Sequence, residues 1–196
     1  MRLKLQEGAA LDDVAFPGSH TATMIRQSIQ FQQIVRDYSQ KVAQTARGIL
    51  GDQREAEEAV QDVFLKVYRG LRGFKGESEV STWIYRITVN TCLSRRRKRA
   101  RPEVSLDDPS VLLEIVDPES RPDHLYEKQE SKERVARLTS ELPDREALAV
   151  TLFYMQELDY SRISEIMNLP IGSVATALHR GRVRLHLLML REEKDQ

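Results

Sequence analysis

Residues 159–188 read DYSRISEIMNLPIGSVATALHRGRVRLHLL. Asp159 suits a helix N-cap, because its carboxylate can accept a hydrogen bond from an amide of the first turn. A short helix, YSRISEIM, follows, with Ile163, Ile166 and Met167 facing inward. Asn168-Leu169-Pro170 makes a turn. The closing helix starts near Ile171 and points Val174, Leu178 and Leu185 inward. Short helix, tight turn and longer helix make the helix-turn-helix plan. In that plan the second helix enters the major groove and reads base edges near its N-terminus. The outward side chains are expected to be Ser173, Thr176, Ala177, Arg180 and Arg184.

Working outward, ERVARLTSELP reads as a helix that ends at Pro143. DREALAVTLFYMQEL reads as one more helix, with Ala147, Leu148, Thr151, Leu152 and Met155 on one side. Residues 134–190 therefore form a compact helical unit, followed by a tail over 191–196.

The N-terminal half has its own helical periodicity. Phe31, Ile34, Val35, Tyr38, Val42, Ala46 and Ile49 predict an amphipathic helix over about residues 25–48. Gly51-Asp52 breaks it, and Asp52 with Glu55 resembles a capping box. The next helix is AEEAVQDVFLKVYRGL, residues 56–71. Its apolar stripe runs through 56, 59, 60, 63, 64, 67 and 71. Leu65 stands alone on the other, polar side, among Glu57, Glu58, Gln61 and Asp62. GFKGESEVS, residues 73–81, reads as a loop. A third helix, from Thr82 onward, carries Trp83 and Ile87 on one face and Arg86, Asn90 and Ser94 at four-residue steps on another.

That helix runs into RRRKRAR, residues 95–101, in a chain of net charge +0. The neutrality is a cancellation. Residues 25–101 hold 16 Lys/Arg against 8 Asp/Glu, whereas residues 102–133 hold 3 against 10. A basic block is an electrostatic footprint for a polyanion. Arg, Asn and hydroxyl groups beside aromatics suit nucleic acid: amides bond base edges, rings stack and cations neutralise phosphates. The acidic segment contains Pro102, Pro109, Pro118 and Pro122 and reads as a linker. The expected fold is all-α: two small helical domains, 25–101 and 134–190, joined by an acidic, proline-containing linker over 102–133. Residues 1–24 read as a flexible extension.

Several function classes fall away. The single cysteine, Cys92, leaves no partner for an internal disulfide and no thiolate cluster for zinc. The four histidines are scattered. No metal site, cofactor or catalytic constellation is expected. No stretch approaches the ~18–20 apolar residues needed to cross a bilayer. The first residues lack a signal-peptide core, so the chain reads as soluble and cytoplasmic, without direct membrane contact.

Three segments, in this order, resemble the extracytoplasmic-function sigma factors of bacterial RNA polymerase. AEEAVQDVFLKVYRGLRGFKG is similar to the family's core-binding helix, and STWIYRITVNTCLSRRRKR to its promoter-melting helix. LPDREALAVTLFYMQELDYSRISEIMNLPIGSVATALHRGRVRL resembles its C-terminal helix-turn-helix. The resemblance implies a non-catalytic initiation subunit with core RNA polymerase and promoter DNA as partners, held in check by a cognate anti-sigma factor. Glu58, Gln61, Asp62 and Leu65 would dock on the polymerase. Phe74, Lys75, Val80, Ser81, Thr82, Trp83, Arg86 and Asn90 would read the minus-ten element as a single strand. Arg95, Arg96, Arg97, Lys98 and Arg99 would grip upstream phosphates. Ser173, Thr176, His179, Arg180 and Arg184 would read the minus-thirty-five element.

Two departures stand out. Val80 occupies a loop position that is usually aromatic, and Ala175 and Ala177 occupy recognition-helix positions that are usually basic. Weak or unusual minus-thirty-five recognition is expected, with a flatter salt dependence. Two rival readings remain on sequence alone: a stand-alone helix-turn-helix regulator, and a sigma-mimicking decoy that binds an anti-sigma factor.

Overall fold

The computed structural model describes residues 19–99 and 126–194. The linker's residues 102–125 and most of the N-terminal extension lie outside them. Among the described residues there are helices and no strands. α1, Ser19–Leu50, is longer than its periodicity predicts. It stops at Gly51, whose φ of +74° suits glycine and whose amide donates to the Arg47 carbonyl at 2.8 Å. Asp52 then caps α2, Gln53–Leu71: its Oδ1 accepts from the Glu55 amide at 2.8 Å. The expected stripe is buried at Ala56, Ala59, Val60, Val63, Phe64 and Val67. α3 spans Val80–Arg99. These three helices pack against one another.

The second unit comprises α4, Tyr126–Ser140; α5, Asp144–Val150; α6, Tyr160–Met167; and α7, Ile171–Lys194. α4 begins inside the stretch read as linker. Asp159 caps α6 as expected, with Oδ1 accepting from the Arg162 amide at 2.8 Å. The turn into α7 passes through Asn168 in the left-handed region, φ +51°, which asparagine tolerates better than most residues.

Two expectations are corrected. DREALAVTLFYMQEL is not one α-helix: after Val150 the chain widens into a π-turn, Thr151–Met155. Met155 and Thr151 lie over Gly48 of α1, where a Cβ would lie 2.6 Å from the Met155 sulfur. Ala177 does not face outward. It is 8 % exposed and packs with Val150 and Leu178.

The two units share a core. One buried cluster runs from Ile34 and Val42, through Ile84 and Val89, to Leu152, Ile163, Ile166 and Val174. α1 packs on α4, α5 and the π-turn, and α3 packs on α6.

Candidate nucleic-acid interface

The groove between α2 and α3 is lined by charge from both sides: Glu55, Glu58 and Asp62 against Lys66, Arg95 and Lys98. Arg95 Nη2 donates to Asp62 Oδ2 at 2.6 Å, and Nη1 to Glu58 Oε2 at 3.0 Å. Burial works against the Arg95 charge; the hydrogen bonds to Asp62 and Glu58 outweigh it and hold the guanidinium above its ordinary value. Arg99 Nη1 lies 3.4 Å from Glu55 Oε2. The five cations assigned to upstream phosphates thus divide. Arg95 and Arg99 are tied to α2. Arg96 donates to the carbonyls of Ile49 (3.2 Å) and Leu142 (2.8 Å) and pairs with Asp144 at 3.1 Å. Arg97 and Lys98 are exposed and make no ion pair among the described residues.

Glu58 and Leu65 are exposed on α2, with Gln61 and Asp62 half-buried between them. Leu65 is 36 % exposed, so an apolar side chain does project from the polar face.

At the start of α3, Phe74 and Trp83 stack with ring centroids 4.9 Å apart. The Trp83 ring lies over Gly70, where a Cβ would meet it at 2.9 Å. Lys75, Arg86 and Asn90 are exposed, Val80 and Ser81 half-buried. Thr82 is fully buried with its hydroxyl unpartnered, so it does not join the others at the surface. Arg86 is already engaged: Nε and Nη2 donate to the Glu165 carbonyl at 3.1 and 2.9 Å.

On α7, Ser173, Thr176, His179 and Arg180 lie exposed together along the first three turns. Arg184 is turned toward α5: its Nε is 3.0 Å from Glu146 Oε2, an ion pair whose angle makes no hydrogen bond.

One residue was missed. Arg162, on α6, reaches across to Glu79 and donates to Ser81 Oγ at 2.8 Å. Its partners are about eighty residues away in sequence, so no local pattern announces it.

Comparison with known proteins supplies the family. Residues 34–102 match the model of Sigma-70 region 2, and residues 132–185 match Sigma-70, region 4. The chain is 32 % identical over 162 residues to the ECF RNA polymerase sigma factor SigW of Bacillus subtilis, covering 79 % of this chain and 86 % of that protein. The chain belongs to the ECF sigma factors. Another relative, the ECF RNA polymerase sigma-E factor of Escherichia coli K12, is 31 % identical over 158 residues, covering 78 % of this chain and 82 % of its own length.

Two solved structures share the fold of this sigma factor. One is CnrH in complex with the cytosolic domain of CnrY (TM-score 0.59, 19 % identity, covering 81 % of this chain and 86 % of that one). The other is the sigma factor RpoE in complex with the anti-sigma factor NepR from Bartonella quintana (TM-score 0.59, 21 % identity, 82 % and 96 %). As an ECF sigma factor, the chain directs core RNA polymerase to promoters and initiates transcription there. The stand-alone regulator is set aside by region 2, which such a protein would not need. The decoy reading loses one of its two supporting residues, because Ala177 is core rather than a missing DNA contact. Among the described residues, no helix is long and apolar enough to cross a membrane.

Proposed function

We propose that this sigma factor divides its work among three surfaces. α2 docks on the polymerase through Glu58, Gln61, Asp62 and Leu65. The loop before α3 and its exposed face, with Phe74, Lys75, Val80, Ser81, Trp83, Arg86 and Asn90, hold the minus-ten strand, while Arg97 and Lys98 neutralise phosphates just upstream. Ser173, Thr176, His179 and Arg180 read the minus-thirty-five element. Arg95, Arg96 and Arg99 serve chiefly as struts. Residues 25–101 and 134–190 are the two working domains. The protein itself is non-catalytic and cytoplasmic, and the polymerase does the chemistry. A cognate anti-sigma factor is a further expected partner, as in the solved structure of RpoE with NepR.

The observation that carries this reading is the exposed row Arg86, Asn90 and Ser94 on α3, which starts beside the Phe74–Trp83 pair and ends beside the free cations Arg97 and Lys98. Rings, base-bonding groups and phosphate-binding groups occur there in the order a melted strand requires.

The test is transcription with core polymerase. Leu65→Asp should weaken core association about thirtyfold, the weight of one central contact of ~2 kcal/mol. Asn90→Ala should leave core association intact and reduce permanganate-reactive thymines in the bubble. If Leu65→Asp binds core like the native chain, the docking surface has been misplaced.

A further inference from the structure

The first turns of α1 lie ahead of the part matched to Sigma-70 region 2, which begins at residue 34. Gln27 heads a stripe that continues at helical spacing through Phe31 and Ile34. It is a polar residue in an apolar row, yet it is only 7 % exposed. A buried amide is costly unless its ends are bonded, and here both ends are. Gln27 Nε2 donates to the Tyr68 carbonyl, in the last turn of α2, at 3.1 Å. Its Oε1 accepts from Arg72 Nε at 2.6 Å. One turn further on, Phe31 meets the Tyr68 ring edge to face, with centroids 5.1 Å apart. These partners stand 41 and 45 residues from Gln27 in sequence, so side chains rather than connectivity tie α1 to the end of α2.

Arg72 is the residue at which α2 gives way to the loop before α3. The chain turns back at once: the Gly73 amide donates to the Gly70 carbonyl at 3.0 Å, and the Phe74 amide to that of Leu71 at 3.3 Å. With that turn made, the Phe74 ring stands 4.9 Å from Trp83, which itself lies over Gly70. Only Gly73 separates the arginine held by Gln27 from the aromatic pair assigned to the minus-ten strand. An exposed arginine otherwise samples many rotamers; the bond to a buried amide fixes one.

We infer that Gln27 is a positioning residue for promoter opening: the N-terminal turns of α1 brace the root of the strand-reading loop through Arg72, and so hold Phe74 against Trp83. The inference rests on the strand-reading role proposed above. Gln27 itself touches neither DNA nor polymerase. Its bond to Arg72 is charge-assisted, the stronger class of hydrogen bond. A base that stacks on a ring needs that ring already fixed, because ordering it at the moment of capture would offset part of the stacking gain.

Trp83 is the only tryptophan, so its emission in the free chain reports whether Phe74 still covers it. Gln27→Leu removes both hydrogen bonds and keeps the burial. Arg72→Leu cuts the same tie from the exposed side, and decides the matter even if the buried substitution unfolds the chain. In each, Trp83 emission should move to longer wavelength. In holoenzyme, each should slow promoter opening about tenfold, the order expected for losing a hydrogen bond to a charged group. The rate at which thymines become permanganate-reactive reads this. Core association and binding to the closed promoter should not change. The double variant should be no worse than either single, because both cut one tie.

Native emission and native opening in Arg72→Leu overturn the brace. So does a double variant whose loss is the product of the two singles, since Gln27 then acts by another route. Phe74→Ala separates these from failure of the underlying reading. If it slows opening while Gln27→Leu and Arg72→Leu do not, the aromatic pair reads the strand and the brace is wrong. If Phe74→Ala opens promoters at the native rate, the pair does not read the strand, and the positioning role falls with it.

Discussion

Arg95 and Arg97 stand two residues apart and face different worlds. Arg95 is folded onto Asp62 and Glu58, so its charge is already neutralised and its donors are used. Arg97 and Lys98 carry charge that is free to displace counterions. Each phosphate contact contributes ~0.9 to the slope of log affinity against log salt on duplex DNA. Arg97→Gln with Lys98→Gln should therefore flatten the slope of holoenzyme–promoter binding by up to ~1.8, whereas Arg95→Gln should leave it nearly unchanged and loosen the α2–α3 groove instead. Equilibrium binding at several salt concentrations separates the two. This division could not be read from RRRKRAR, because helical spacing places neighbouring cations on different faces but does not say which face meets a carboxylate from another helix. Ala177 is the opposite case. Val174, Ala177, Leu178 and Gly181 form an i, i+3, i+4, i+7 stripe, all buried. The pattern was legible, but two of its four members are too small to register as apolar.

At the scale of elements, periodicity was a good guide where a helix buries one continuous stripe, as α2 does, and where a side chain caps its own helix, as Asp52 and Asp159 do. It failed at the π-turn. An inserted residue shifts the stripe by about one position, which apolar neighbours such as Leu152 and Phe153 hide, and the backbone the segment packs against, at Gly48, lies across the interface. The same segment leaves a mark in the backbone. Glu157 sits at φ +54°, a region that costs a non-glycine residue ~1–2 kcal/mol. Its side chain is exposed, and nothing among the hydrogen bonds and ion pairs of the described residues holds it there. Glu157→Gly should therefore stabilise the fold by ~1 kcal/mol, after the entropy that glycine adds to the unfolded chain. Thermal unfolding should show a rise of a few degrees, ~2–4 °C for a chain of this size. Asn168, the other left-handed position, already carries a residue suited to it, and Asn168→Gly should gain less.

At the scale of the molecule, the question is whether two domains or one body unfolds. Family models divide the chain into two regions, and independent domains would melt independently. The packing argues otherwise. The buried cluster passes from Val42 and Ile84 into Leu152, Ile163 and Val174 without a break. Gly48 and Gly51 let α1 approach the second unit closely: a Cβ at either position would lie under 3.0 Å from Met155 or Ser140. Polar contacts add to this seam, because Arg96 and Arg162 each satisfy acceptors on the other unit. Calorimetry of the free chain should therefore show one cooperative transition, with calorimetric and van't Hoff enthalpies equal. In a chain carrying Asp144→Lys and Arg162→Glu, like charges face Arg96 and Glu79 across the seam, and the transition should broaden or split as each unit melts at its own temperature. Core polymerase should do the same to the native chain if it separates the units on binding, seen as faster amide exchange at Ile163 and Ile166 while α2 becomes more protected. Two resolved transitions in the native chain would mean that the continuous core is not cohesive, and that the two regions meet without holding.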